Sequence, residues 1–139
     1  MLFRSLLADI HDTKTNATAC TNVDTVILAG IMYHLHDHCQ VLESIVSANP
    51  KHIIIDSVET DYTLKNDVAS MEWLTESVVD DTSGYYRGQK EILVGIPNCK
   101  WYDLALDSYG YKKVKETKYN RDKPVLQTST IHVYQKDIT

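Results

Sequence analysis

Hydrophobic and polar positions divide the chain into short segments of two kinds. Val23-Asp24-Thr25-Val26-Ile27-Leu28-Ala29-Gly30 is an apolar run without 3.6-residue periodicity. Such a run predicts a strand over about 23–30, buried on both faces as in parallel sheets with helices on each side. From Asp37 to Ala48 the apolar residues fall at 41, 42, 45 and 46, the stripe of an amphipathic helix. Asp37 is the expected N-cap, and Asn49-Pro50 is the expected stop. His52-Ile53-Ile54-Ile55-Asp56-Ser57-Val58 is a second β-branched run. Two strands joined by a helix form a βαβ unit, with parallel strands and a right-handed crossover.

The C-terminal third alternates in the same way. Pro97-Asn98 precedes a helical stretch from about Cys99 to Tyr109, with Trp101, Leu104 and Ala105 on the expected buried face and Gly110 at a left-handed C-cap. Tyr111 to Thr117 alternates as a half-exposed strand. Arg121-Asp122-Lys123-Pro124 marks a turn, and Thr128 to Tyr134 returns as a strand, so the pair predicts an antiparallel hairpin closing the sheet. Between these halves, an insertion at about 59–96 is expected to hold a short helix from Ala69 to Val79, a polar turn at 80–84 and the apolar Ile92-Leu93-Val94.

Composition narrows the class. A chain of 139 residues, 43% hydrophobic and 24% charged, suits one ordinary domain. The formal charge of -5 argues against a free-standing nucleic-acid binder, although a local basic patch on an acidic body can still touch RNA. No apolar run approaches the roughly 20 residues of a membrane helix. Cys20, Cys39 and Cys99 are odd in number and far apart, which suits reduced thiols in a cytoplasmic protein.

The candidate chemistry begins where the first strand ends. Gly30 allows close approach of backbone to a ligand, and Ile31-Met32-Tyr33-His34 brings a phenol and an imidazole to the carboxyl end of the strand, where ligands bind in open α/β sheets. His34 there accepts a proton, orients a ligand, or is an ordinary loop histidine. His34, His36 and His38, with Asp37 among them, also suggest a metal cluster. Their spacing is one residue short of the H-x-H-x-D-H pattern of metallo-hydrolases, and a helix starting at Asp37 would turn the side chains apart. No metal ligands are therefore assigned. In the insertion, Tyr62, Trp73, Tyr85, Tyr86 and Arg87 stand in polar sequence, either to stack on a flat substrate or to pack the insertion.

The order of these elements, with Asp24-Thr25-Val26-Ile27-Leu28-Ala29-Gly30-Ile31-Met32-Tyr33-His34 and the Ser108-Tyr109-Gly110-Tyr111 junction, resembles the second half of a class I S-adenosylmethionine-dependent methyltransferase. The resemblance covers the chain from about residue 6 and implies an α/β, Rossmann-like sheet in which Val23–Gly30 and His52–Val58 are the family's fourth and fifth strands. The two C-terminal strands are its sixth and seventh, the seventh antiparallel. It implies S-adenosylmethionine as cofactor, held by Asp9, Ala29 and Gly30, with Asp9 accepting from the adenine amino group. It also implies Tyr33 and His34 as catalytic residues, and Glu59, Tyr85, Tyr86 and Arg87 at the acceptor. Glu59 either bonds substrate or is solvated. The Tyr33-His34 loop is similar to that of wobble-uridine transfer RNA methyltransferases and related small-molecule enzymes, so the implied acceptor is a small molecule or RNA.

One departure is large. The glycines stand at 30, 84, 88, 95 and 110, and no pair forms the G-x-G that cradles the donor after the family's first strand. The ribose-binding acidic residue is absent too, so this chain is expected to be a partial methyltransferase domain, inactive by itself. Leu2-Phe3-Arg4-Ser5 is what CTC TTC CGA TCT encodes, the end of a common short-read sequencing adapter, so residues 1–5 are expected to be an artefact joined to a truncated gene. The strand at 23–30 would then lack one neighbour and self-associate, and lysine at Val26 or Leu28 would reduce association only by destabilising the core. Two other classes compete: a non-catalytic α/β binding module, and a metal-dependent hydrolase using the histidine cluster.

Overall fold

The computed structural model describes residues 9–60, 68–77, 90–119 and 127–137. Its main sheet contains β1 (Thr25–Ala29), β2 (His52–Thr60), β5 (Tyr111–Tyr119) and β6 (Gln127–Lys136), in the order β1-β2-β6-β5. β1 and β2 are parallel, with Thr25 opposite His52 and Ala29 opposite Asp56. β6 lies antiparallel between β2 and β5, so the C-terminal strand inserts into the sheet instead of extending its edge. This is the strand arrangement that the resemblance implies for the family's fourth to seventh strands.

The helix between β1 and β2 is α2 (His38–Val46), and the helix before β5 is α3 (Cys99–Ser108). Both pack on one face of the sheet. Val41, Leu42 and Ile45 of α2 and Tyr102 and Leu106 of α3 meet Leu28, Ile53, Ile55, Tyr111 and Tyr134 in a single core that Met32 and Leu35 complete. Burying each such side chain contributes about 1.5–3 kcal/mol, which fixes both helices against the strands. The buried face of α3 thus differs from the expected one. Tyr102 and Leu106 point inward, Trp101 and Ala105 flank them, and Leu104 is 65% exposed. Gly110 has the expected positive φ (80°), and Asn49, at 59°, ends the α2 segment in the left-handed region that asparagine tolerates.

β1 is not buried on both faces. Leu28 belongs to the core but Ile27 is 62% exposed, because the described helices cover one side of the sheet and β1 is its edge. Asp37 occupies the N-cap of α2 without making a side-chain cap bond. A further helix, α1 (Thr13–Ala19), starts where the Asp12 side chain accepts from Thr15 N–H. Among the described residues, no helix is long and apolar enough to cross a membrane.

The expected helix at Ala69–Val79 is instead β3 (Met71–Ser77), paired antiparallel with β4 (Glu91–Pro97). Leu74 opposite Val94 and Thr75 opposite Leu93 supply cross-strand partners, and this tertiary pairing overrides a local pattern that suits a helix. Asn98 ties the ribbon to α3. Its side-chain oxygen accepts from Trp101 N–H (2.9 Å) and Ser70 N–H (3.1 Å), while its amide donates to the Val68 carbonyl (2.9 Å) and Ser70 Oγ (2.8 Å). The Gly95 N–H donates to the Leu35 carbonyl (2.9 Å), which holds β4 beside the loop that follows β1.

Candidate active site

The loop after β1 is fixed at both ends. Gly30 N–H donates to the Asp56 carbonyl (2.8 Å), and its φ of 68° turns the chain out of the strand. A Cβ on Gly30 would lie 3.7 Å from the Tyr33 hydroxyl, an ordinary contact, so the positive φ and not crowding requires glycine here. A single 3-10 turn, Met32–His34, follows. Met32 anchors it in the core, and the Tyr33 and His34 rings lie 4.2 Å apart on its outer side.

His34 Nδ1 lies 2.7 Å from Glu76 Oε2 of β3, with both side chains partly exposed. A carboxylate only accepts, so this bond places the proton on Nδ1 and leaves Nε2 as the proton acceptor. The same logic orients histidine bases held by a carboxylate. Glu76 was missed in the sequence because its segment reads as a helix, and its partner stands 42 residues away.

The three clustered histidines reach three different acceptors. His36 Nδ1 donates to the Leu93 carbonyl (3.1 Å), and His38 Nε2 to the Met32 carbonyl (2.7 Å). His38 is buried, which lowers its pKa, and its Nδ1 has no hydrogen-bond partner among the described residues. No metal group of His34, His36 and His38 forms among the described residues.

The remaining candidates scatter. Ala29 is exposed at the end of β1. Asp9 lies in a turn where its Oδ1 accepts from the His11 backbone (2.9 Å) and ring (3.0 Å). Glu59 lies within β2, buried and paired with His132 Nε2. Tyr62, Tyr85, Tyr86 and Arg87 fall outside the described residues.

No protein-family model matches the sequence, and no curated protein does. Solved structures do. The chain is similar to the N-terminal domain of EvdMO1 with SAH bound, with 17% identity and a TM-score of 0.57, over 93% of this chain and 51% of that one. It is similar to the 1,6-didemethyltoxoflavin-N1-methyltransferase of Burkholderia thailandensis, bound to 1,6-didemethyltoxoflavin and S-adenosylhomocysteine, with 14% identity and a TM-score of 0.53, over 82% and 44%. The glycopeptide N-methyltransferase MtfA, complexed with (S)-adenosyl-L-homocysteine, matches with 7% identity and a TM-score of 0.56, over 94% and 59%. The fold is that of Rossmann-like methyltransferases. The chain spans about half the length of these structures.

A second set of chemical groups lies under α3. Glu59, Cys99 and His132 bring ligand-type atoms within 4.8 Å of one another. A cation is already there. Lys113 Nζ sits 3.0 Å from Cys99 Sγ, 2.9 Å from Asp103 Oδ2 and 2.8 Å from Glu116 Oε2, and Tyr134 donates to Asp103 Oδ1 (2.9 Å). Burial pushes the Cys99 thiol up to about 11, so it remains a thiol at neutral pH. A register shift between Lys113 and Lys115 leaves Val114 outside the ladder, and Lys113 and Glu116 share the face of β5 that bears this network.

Proposed function

We propose that this chain supplies the acceptor side of an S-adenosylmethionine-dependent methyltransferase. The observation that carries this reading is the His34–Glu76 pair beside Gly30 and Tyr33 at the carboxyl end of β1, on a fold shared with methyltransferases. Methyl transfer is a displacement at carbon, so the protein supplies proximity, orientation and, for an oxygen or nitrogen acceptor, a base. His34 Nε2 is that base in our reading, and Tyr33 lines the donor. Gly30 and the exposed end of β1 at Ala29 let the donor lie against backbone, and Asp9 is assigned to the adenine N–H by resemblance. Glu59 acts differently. Buried and paired with His132, it ties β2 to β6 from within the sheet, and a substrate role is assigned to it by resemblance alone. The acceptor is a small molecule or RNA, and Tyr85, Tyr86 and Arg87 are assigned to it by resemblance.

The donor's nucleoside and methionine ends also need a glycine-rich turn, and no two glycines of this sequence form a G-x-G. S-adenosylmethionine titrated calorimetrically into the 139-residue chain is therefore expected to give no micromolar binding. A polypeptide extended by the upstream reading frame, with a G-x-G loop and an acidic residue about twenty positions later, is expected to bind it. An extended polypeptide of that kind without donor affinity would remove the methyltransferase reading.

A further inference from the structure

Beside the His34 loop, between β3 and the start of α3, lies a cavity of about 280 Å³ lined by His36, His38, Cys39, Met71, Trp73 and Trp101. Its rings come in two pairs. His36 lies against Trp73 with centroids 5.7 Å apart, and His38 meets Trp101 edge-on at 5.5 Å. Hydrogen bonds to the Leu93 and Met32 carbonyls hold both imidazoles in place, so the walls are set before any ligand arrives. Gly95 keeps the space between them. A Cβ there would clash with Met71 Sδ and lie 3.0 Å from His38 Cε1, so a side chain at 95 would displace the thioether and press on the imidazole. Trp73, 48% exposed, presents a large aromatic surface at the mouth.

The lining selects a class of ligand. No aspartate, glutamate, lysine or arginine lines the cavity among the described residues, and burial favours the neutral form of His38. The volume falls just below the usual range of ligand pockets, about 300–1,000 Å³, and suits one compact ring system. Tryptophan, imidazole and a thioether all favour contact with a flat π-system. We propose that this cavity takes a neutral, planar, bicyclic aromatic small molecule. This binding stands apart from the methyl-transfer reading, because Trp73 and Glu76, three residues apart in β3, project from opposite faces of the ribbon.

The test titrates 2-naphthol into the 139-residue chain without donor and follows the indole N–H signals of Trp73 and Trp101 by NMR. Both signals are expected to shift with saturation. Trp73→Ala and Trp73→Leu, the second keeping apolar bulk in the strand, are each expected to weaken binding about tenfold, the scale of one lost aromatic contact. Decahydro-2-naphthol, with the same hydroxyl on a puckered frame, is expected to bind at least about tenfold more weakly than 2-naphthol for the same reason. Equal binding of the flat and puckered compounds, or unchanged binding by both Trp73 variants, would overturn the proposal. Tighter binding of N-methylquinolinium would overturn its neutrality, and tighter binding of inosine would overturn the small-molecule assignment. Because no donor is present, failure of the methyltransferase reading would leave ring binding intact, and failure of ring binding would leave the donor site untouched.

Discussion

The loop after β1 and the network under α3 hold similar chemical groups in opposite states. Under α3, Lys113 is surrounded by Cys99, Asp103 and Glu116, Tyr134 caps Asp103, and Glu59 pairs with His132. Those groups answer one another, save His132 Nδ1, which lies 3.6 Å from Glu116 without a hydrogen bond among the described residues. Around the loop, His34 has one carboxylate on Nδ1 and an accepting Nε2 near solvent, and the His36 and His38 rings line a cavity. The difference teaches where to look for chemistry. A polar group whose partners are all internal anchors the fold, whereas one oriented by a single partner keeps capacity for a ligand.

The largest expected effect separates the two regions by activity. In a donor-binding extended polypeptide, His34→Ala is expected to lower the methyl-transfer rate about 10²–10⁴-fold, the usual worth of a positioned base. Donor affinity should not change, and Glu76→Gln should fall between the variant and the parent. Single-turnover transfer from labelled S-adenosylmethionine checks this, and a full rate in His34→Ala would remove the base.

Stability should show the reverse pattern. His132→Ala strands the buried Glu59 carboxylate without its partner, and breaking such a pair costs about 3–5 kcal/mol. His34→Ala, at an exposed position, should stay within about 0.5 kcal/mol of the parent. Urea denaturation of the two variants measures the contrast, and equal costs would erase it.

Acid sharpens the comparison by timing. Burial holds the folded His38 below its ordinary 6.5, so its contribution is complete above that pH and is lost as pH falls toward the lowered folded value. Glu116 is held below its ordinary 4.5, chiefly by the hydrogen bond from Lys113, so its contribution is complete above 4.5 and is lost as pH falls below it. Hydrogen exchange across a pH series should therefore show residues 32–38 losing protection first and the α3–β5 contact later. Simultaneous loss would mean that the two regions open as one unit.

The smallest effect concerns the sheet edge. Ile27→Lys is expected to reduce self-association in sedimentation while changing stability by less than about 0.5 kcal/mol, because Ile27 points outward. Leu28→Lys would bury a charge in the core and unfold the chain. Association unchanged by Ile27→Lys would place the contact elsewhere.

Much of this architecture was legible locally. The apolar runs of β1 and β2, the stripe of α2 and the C-cap at Gly110 each declare themselves within about a dozen residues, and the resemblance then supplies their order in the sheet. What failed was whatever depended on distant partners. β3 reads as a helix until β4 lies beside it, and Glu76 has no visible role until His34 reaches it across 42 positions. α1 escaped because Thr13-Lys14-Thr15-Asn16 has weak helix formers and buries no residue. The two faces of β1 differ because helices cover one of them, which an apolar run cannot reveal.

The extra residue in β5 bears on how this region varies in length. Lys113 faces Tyr134 and Lys115 faces Val133, so Val114 occupies no rung of the ladder and lies 56% exposed. Removing its codon would bring Lys115 into regular succession after Lys113 and leave Glu116 opposite His132. The strand has absorbed a spacer that its neighbour does not match. Related chains one residue shorter at this point would preserve every cross-strand partner, and an alignment gap at 114 would mark an ornament of the sheet's rim with no change in its pairing.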